Sequence, residues 1–299
     1  MSKIAIVGAG AFGSAINSLL KKKGYTPKVW DIGLDMKEKV EGSDFVIFAV
    51  PSQAFREVFI QAVPFIGDAV VINLAKGVEM GSLKRMSEIA DEILPSVRYV
   101  ALSGPSHAEE VAIDLPTSVS IASKDKSLLP KVQELFSNEH FRVYTNDDLV
   151  GVELAGSLKN VIALATGIAD GLNSGDNARA ALMTRGLAEI SRLSVKMGAD
   201  PITFLGLSGV GDLIVTCGSM HSRNRRCGIL IGQGAALDLA LKEVGQVVEG
   251  VSACYAAHDL GLKYGVEMPI TSLLYRVLTG ELGAKEAANL LLSQELAAE

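Results

Sequence analysis

The sequence predicts an α/β protein: a doubly wound, largely parallel sheet over residues 1–146, followed by an all-helical domain over 147–299. Short β-branched runs alternate with longer amphipathic segments through the first half, the pattern of strand–helix–strand units. A glycine-rich turn joins the first of these runs to a helical stretch, and beyond residue 146 the strand-like runs give way to Ala, Leu, Gly and Ser. A chain of 299 residues also exceeds what one hydrophobic core usually serves, so two domains are expected.

The expected strands are, in order, Ile4 to Val7, Lys28 to Trp30, Phe45 to Val50, Ala69 to Asn73, Tyr99 to Leu102, Thr117 to Ile121 and Phe141 to Tyr144. Between the first two, Ala11, Phe12, Ala15, Ile16, Leu19 and Leu20 recur at helical spacing, with Lys21 to Lys23 as the last turn and Gly24 as the stop. In the second half, Asp148 is placed to cap a helix from Leu149 to Ala169 whose only charges are Glu153 and Lys159. A helix that is apolar almost all round is a buried one. Further helices are expected over 177–197, 249–264 and 270–292, and no fixed-period repeat is visible.

Lys plus Arg number 28 against 34 Asp plus Glu, a net charge of −6, with 48% hydrophobic residues, as in a soluble globular protein. That acidic balance argues against nucleic-acid and anionic-membrane partners, which require a basic surface. The uncharged run from Ile4 to Leu20 is broken by Gly8, Gly10 and Gly13 and carries Ser14, Asn17 and Ser18, so it suits neither a membrane span nor a signal peptide. Three cysteines, Cys217, Cys227 and Cys254, are too few for a secreted disulfide scaffold and read as reduced thiols in a cytoplasm. Small-molecule chemistry is what these exclusions leave.

Gly8-Ala9-Gly10-Ala11-Phe12-Gly13 follows a strand and opens a helix, the context that gives a GxGxxG pattern meaning. The first glycine permits a tight turn, the second lets the backbone approach a pyrophosphate, and the third lets helix and strand pack closely; the helix N-terminus adds free N–H groups. Asp31 ends the next strand, roughly 20 residues on, where a carboxylate can accept hydrogen bonds from the adenosine ribose. This is the signature of a Rossmann-type nucleotide fold, although the same glycines could serve only a tight turn and Asp31 could be a solvated turn residue.

Lys159 has Ala155, Gly156, Ile162 and Ala163 as its helical neighbours. Burial there would lower its pKa toward the range where a lysine exchanges protons near neutrality; alternatively the side chain snorkels to solvent. The cluster Ser222-Arg223-Asn224-Arg225-Arg226, ten residues beyond Asp212, offers a hydroxyl, an amide and a guanidinium fork suited to phosphate. A solvated charge run is the alternative. Cys217, His221 and Cys227 have no zinc-site spacing, and no metal is expected. His107, His140 and His258 stand out in no pattern.

With these residues in view, the chain resembles the bacterial-type NAD(P)-dependent glycerol-3-phosphate dehydrogenases from residue 3 to about 280. The resemblance is carried by GAGAFG at 8–13, AVPSQ at 49–53, AKG at 75–77, SGPSHAEE at 103–110, the tract at 153–172, AALMTRGLAEI at 180–190, GVGDLIVTC at 209–217, SRNRR at 222–226 and VVEG at 247–250. It implies reversible reduction of dihydroxyacetone phosphate to sn-glycerol 3-phosphate by NAD(P)H, feeding glycerophospholipid synthesis. It implies Lys159 as the acid/base, and Asp212, Ser222, Arg223 and Asn224, with Lys76, Gly104 and Ser106, at the substrate. It places Ala11, Phe12, Ala108, Arg223, Val247 and Glu249 at the cofactor; Lys76 is also expected to face the cofactor, and a homodimer is kept open.

The family usually carries a longer excursion after the tryptophan matching Trp30; here Trp30-Asp31 leads almost directly to Val40-Glu41-Gly42-Ser43-Asp44. With Asp31 present and no basic residue before Lys37, NAD is favoured over NADP. A β-hydroxyacid dehydrogenase of the 6-phosphogluconate-dehydrogenase type is the rival enzyme, but those enzymes separate lysine and asparagine on a helix face, whereas Lys159 and Asn160 are adjacent. A dinucleotide-binding sensor without turnover is the rival from another class.

Overall fold

In the computed structural model, which describes residues 2–293, seven strands form one sheet in the order β2-β1-β3-β4-β5-β6-β7. They are β1 Ile4–Val7, β2 Lys28–Trp30, β3 Phe45–Phe48, β4 Val70–Asn73, β5 Tyr99–Ser103, β6 Thr117–Ala122 and β7 Phe141–Asn146. All seven expected strands are present, although the third stops at Phe48 rather than Val50. The sheet is parallel through β5; β6 then pairs antiparallel with β5, and β7 parallel with β6.

Six helices accompany the strands: α1 Ala11–Lys22, α2 Met36–Val40, α3 Phe55–Ile66, α4 Met86–Ile93, α5 Ala108–Ala112 and α6 Leu129–Phe136. They cover both faces, so β1 is buried at every residue rather than alternately. Ile4 and Ile6 point into the core built with α1 and α6, while Ala5 and Val7 point into the other, where the rings of Phe48, Phe55 and Phe59 lie 5.3–5.6 Å apart.

Eight helices make the second domain: α7 Leu149–Gly171, α8 Gly175–Lys196, α9 Asp212–Gly218, α10 Arg223–Gly232, α11 Leu237–Val244, α12 Glu249–Tyr264, α13 Pro269–Leu278 and α14 Ala284–Leu292. The 23-residue α7 is the axis of this domain, buried at nearly every position as its composition requires. By length and composition it could cross a membrane, but 89% of its most apolar stretch is buried inside the protein. Asp148 caps it, accepting from Gly151 N at 2.8 Å. Near its start Glu153 accepts from Arg85 Nη1 at 2.7 Å, Ser87 N at 2.9 Å, Ser87 Oγ at 2.6 Å and Tyr99 OH at 2.8 Å, a buried charge fully paired to the sheet domain.

Two readings are corrected. The helix expected over 270–292 is two helices, because the chain turns left-handed at Gly280 (φ +79°) between α13 and α14. The SRNRR segment, for which the sequence predicted no helix, opens α10, where Ser222 Oγ caps by accepting from Arg225 N at 3.2 Å. Helices α9 and α11 were not anticipated either, being short and rich in Gly or flanked by it.

The packing of α10 on α7 uses glycine on both sides. A Cβ on Gly228 would lie 2.2 Å from Leu164 O, and one on Gly167 would lie 2.2 Å from Arg225 O. The two backbones touch, and this fixes the N-terminus of α10 relative to Lys159.

Candidate active site

The glycine loop has the three properties expected of it. Gly8 sits at φ +107°, and a Cβ there would lie 2.7 Å from Ala49 O; a Cβ on Gly13 would lie 2.0 Å from Gly8 O. Around Gly10, by contrast, there is open space. Gly10 is also the N-cap of α1 and offers no capping side chain, so the N–H groups of Ala11 and Phe12 are free to meet an anion. A pyrophosphate fits here for steric and electrostatic reasons together. Phe12 on α1 and Ala108 at the start of α5 flank the same core.

Where the two domains meet, two lysines share one carboxylate. Lys159 Nζ donates to Asp212 Oδ1 at 2.7 Å and to Thr216 Oγ1 at 2.6 Å; Lys76 Nζ donates to Asp212 Oδ2 at 2.8 Å and to Gly104 O at 2.8 Å. Lys159 is 5% exposed, so the side chain does not snorkel. Burial pushes its pKa down to about 8; Asp212 opposes that fall and the charge of Lys76 adds to it. Burial alone would raise the Asp212 carboxyl, but Lys159 and Lys76 outweigh it and hold it below the ordinary carboxylate value. Gly104 O also accepts from Ser106 Oγ at 3.0 Å. Lys76, Gly104, Ser106, Lys159 and Asp212, scattered over 137 positions, thus form one connected group.

The α10 terminus is tied through amides to α7, at the residue after Lys159, and to α12. Asn224 Nδ2 donates to Asn160 Oδ1 at 2.9 Å, and Asn224 Oδ1 accepts from Gly250 N at 2.8 Å. One N–H of Asn224 remains for a ligand. Arg223 is exposed, and among the described residues no carboxylate pairs with it. Arg225, which the sequence grouped with it, is spoken for: its Nε and Nη2 each lie 2.8 Å from Asp170 Oδ2 on α7.

Glu249 opens α12 and ties the two domains together, accepting from Ser52 N at 2.9 Å and Ser52 Oγ at 2.5 Å. Gly77 lies directly beneath, where a Cβ would meet Ser52 Oγ at 2.1 Å. Val247 is half exposed just ahead of it. Asp31 lies apart, exposed at the end of β2, with Oδ1 accepting from Ile32 N at 2.9 Å and the turn closed by Trp30 Nε1 donating to Leu34 O at 2.8 Å.

Sequence reasoning missed Thr216, Asn160 and Ser52. Thr216 was legible in principle, four residues past Asp212 and so on the same face of α9. Ser52 had no such signal, since its partner lies 197 residues away.

Comparison with known protein families shows which family the chain belongs to. Residues 31–129 match the family described as "NAD-dependent glycerol-3-phosphate dehydrogenase N-terminus", and residues 148–289 match its C-terminus. The chain belongs to the NAD-dependent glycerol-3-phosphate dehydrogenase family. A glycerol-3-phosphate dehydrogenase [NAD(P)+] of Bacillus subtilis is 51% identical, over 93% of this chain and 90% of its own. That of Pelotomaculum thermopropionicum is 50% identical, over 98% and 93%. The latter alignment runs over 325 positions, more than the 299 residues here, so this chain lacks residues its relative has. The crystal structure of the Coxiella burnetii glycerol-3-phosphate dehydrogenase superposes with a TM-score of 0.95 at 37% identity, covering 98% of this chain and 99% of its own.

Proposed function

We propose that Lys159 carries the proton in the family's reaction, the interconversion of dihydroxyacetone phosphate and sn-glycerol 3-phosphate with NAD(P)H. The observation behind this reading is a buried ammonium, its pKa near 8, held 2.7 Å from Asp212, whose other oxygen meets Lys76 of the sheet domain. A cofactor, when bound, supplies hydride to the central carbon in one direction and accepts it in the other. As the carbonyl π pair withdraws onto oxygen, Lys159 donates its proton there, and the hydroxyl forms without a free alkoxide. Asp212 and Thr216 aim Lys159, while Lys76, anchored to Gly104 O, keeps Asp212 ionised and presents a second donor to the substrate.

The phosphate belongs at the N-terminus of α10, held by the Arg223 guanidinium, the remaining N–H of Asn224 and the Ser222 and Ser106 hydroxyls. Gly8, Gly10 and Gly13, with the N–H groups of Ala11 and Phe12, hold the pyrophosphate; Asp31 takes the adenosine ribose and favours NAD. Ala108, Val247 and Glu249 complete the cofactor side, with Glu249 acting through Ser52. The domain boundary falls at residues 146–147. A cytoplasmic enzyme fits the reduced cysteines, of which Cys217 and Cys254 are buried thiols pushed above their ordinary pKa by desolvation.

NADH oxidation with dihydroxyacetone phosphate, dihydroxyacetone and a β-keto acid tests this reading. Turnover confined to the phosphorylated ketone supports it. Activity on the keto acid alone, or cofactor binding with no turnover, would replace it.

A further inference from the structure

Two imidazoles, one from each domain, lie in contact, and the chemistry described above employs neither. His107 immediately precedes α5 in the sheet domain; His221 lies in the turn between α9 and α10 of the helical domain. Their ring centroids are 5.8 Å apart with the planes at 55°, a contact geometry for two rings. His107 is half buried, with Nε2 lying 3.4 Å from Val215 O on α9, between Asp212 and Thr216. His221 is exposed.

Their neighbours in the chain say where they stand. His107 follows Ser106, which shares the Gly104 carbonyl with Lys76; His221 precedes Ser222, the cap of α10. The pair therefore bridges the two segments assigned to the phosphate, one from each domain.

We propose that His107 and His221 form the outer wall of the phosphate site and donate hydrogen bonds to the substrate's phosphate, setting its affinity without taking part in hydride or proton transfer. This rests on the placement of the phosphate at α10. To the guanidinium, amide and hydroxyls already assigned to the phosphate dianion, an imidazolium adds a charge-assisted donor. Around His107 stand Lys76, Lys159 and Asp212, with Glu109 and Glu110 on its own helix; Arg223 stands two residues beyond His221. Without ligand, burial moves the His107 pKa below the ordinary imidazole value, the two lysines adding to the fall and the Val215 carbonyl and Asp212 opposing it. A bound dianion reverses that balance, so binding takes up a proton and weakens as pH rises through the imidazole range.

The test is steady-state kinetics of His107→Gln, His221→Gln and the double variant at pH 6.5 and 8.5, beside wild type and Arg223→Lys. At pH 6.5 the double variant should raise the KM for dihydroxyacetone phosphate about tenfold, the size of one hydrogen bond to a charged group. Its kcat and its KM for NADH should stay within about twofold. The gap should narrow at pH 8.5, and inhibition by inorganic phosphate should weaken at pH 6.5 in the same order. A gap equal at both pH values, or a KM for NADH moving in step, overturns the proposal. If Arg223→Lys raises the KM and the histidine variants do not, the imidazole wall alone is wrong. If Arg223→Lys has no effect either, the phosphate lies elsewhere and both readings fall.

Discussion

Lys159 and Asp212 meet at 2.7 Å with both side chains withdrawn from water, and Asp212 gives its other oxygen to Lys76. One carboxylate cannot neutralise two ammoniums, so the site keeps a net positive charge where oxyanion character develops during reduction. Burial, with the charge of Lys76 adding to it, leaves Lys159 poised near pH 8. As general acid it must be protonated, so kcat for ketone reduction should fall as pH rises through about 8, while alcohol oxidation, which needs the free amine, should rise through the same range. Asp212→Asn removes the partner that opposes desolvation and should shift both limbs to lower pH. Profiles of kcat measured in both directions check this, and an unmoved limb in the variant would separate Lys159 from it.

Lys159→Ala should act on the chemical step and leave cofactor binding nearly intact. A turnover loss of two or more orders of magnitude is expected, about the contribution of a positioned general acid. Stopped-flow turnover beside fluorescence titration of NADH distinguishes this from damage to binding; near-normal kcat with a raised KM would contradict the assignment.

Arg223→Lys should weaken use of dihydroxyacetone phosphate severely, because a lysine's point charge does not reproduce a two-pronged contact to phosphate. The wild type should strongly prefer the phosphorylated ketone over dihydroxyacetone. Comparable kcat/KM values for the two ketones would remove the clamp.

The glycine contact between α7 and α10 links stability to that clamp. Gly228→Ala pushes a methyl to within 2.2 Å of Leu164 O, a backbone atom that cannot step aside without moving the helix. Overpacking of this kind costs about 1–3 kcal/mol. Denaturant unfolding should show that loss, and in the surviving folded enzyme the KM for dihydroxyacetone phosphate should rise, since α10 carries Ser222 to Asn224.

What the sequence showed depended on how locally each feature is encoded. The strands and α7 were legible because short β-branched runs, buried on both faces, and an uninterrupted apolar helix are written in consecutive residues. Gly8 to Gly13 were legible because turn, approach and close packing each require glycine. Lys159 was conspicuous by its apolar neighbours, but its burial was not, because Asp212, which makes that burial tolerable, lies 53 residues away. Arg225 looked equivalent to Arg223 in the sequence; Asp170 decides between them, and only the packing of α10 on α7 brings that carboxylate into place.

Asp31 should make NADH the better cofactor. It ends β2 beside β1, whose own end leads into the glycine loop, so a dinucleotide laid over Gly10 brings its adenosine ribose to this edge. The backbone N–H of Ile32 occupies Oδ1 and fixes the carboxylate's direction, leaving Oδ2 to accept from the ribose hydroxyls. The extra phosphate of NADP would meet that fixed negative charge. Lys37, the next basic residue after Asp31, lies on α2 with its ammonium 3.9 Å from Glu41, one turn on, so it faces along its own helix. Glu41 must therefore be given up before Lys37 can serve a phosphate, a modest penalty for an exposed pair but one that NADH avoids. Specificity constants for NADH and NADPH at matched dihydroxyacetone phosphate measure the preference, with NADH expected to lead by about tenfold or more. Asp31→Ala should narrow that ratio chiefly through a lower KM for NADPH; a wild type that favours NADPH would show that Lys37, not Asp31, governs this edge.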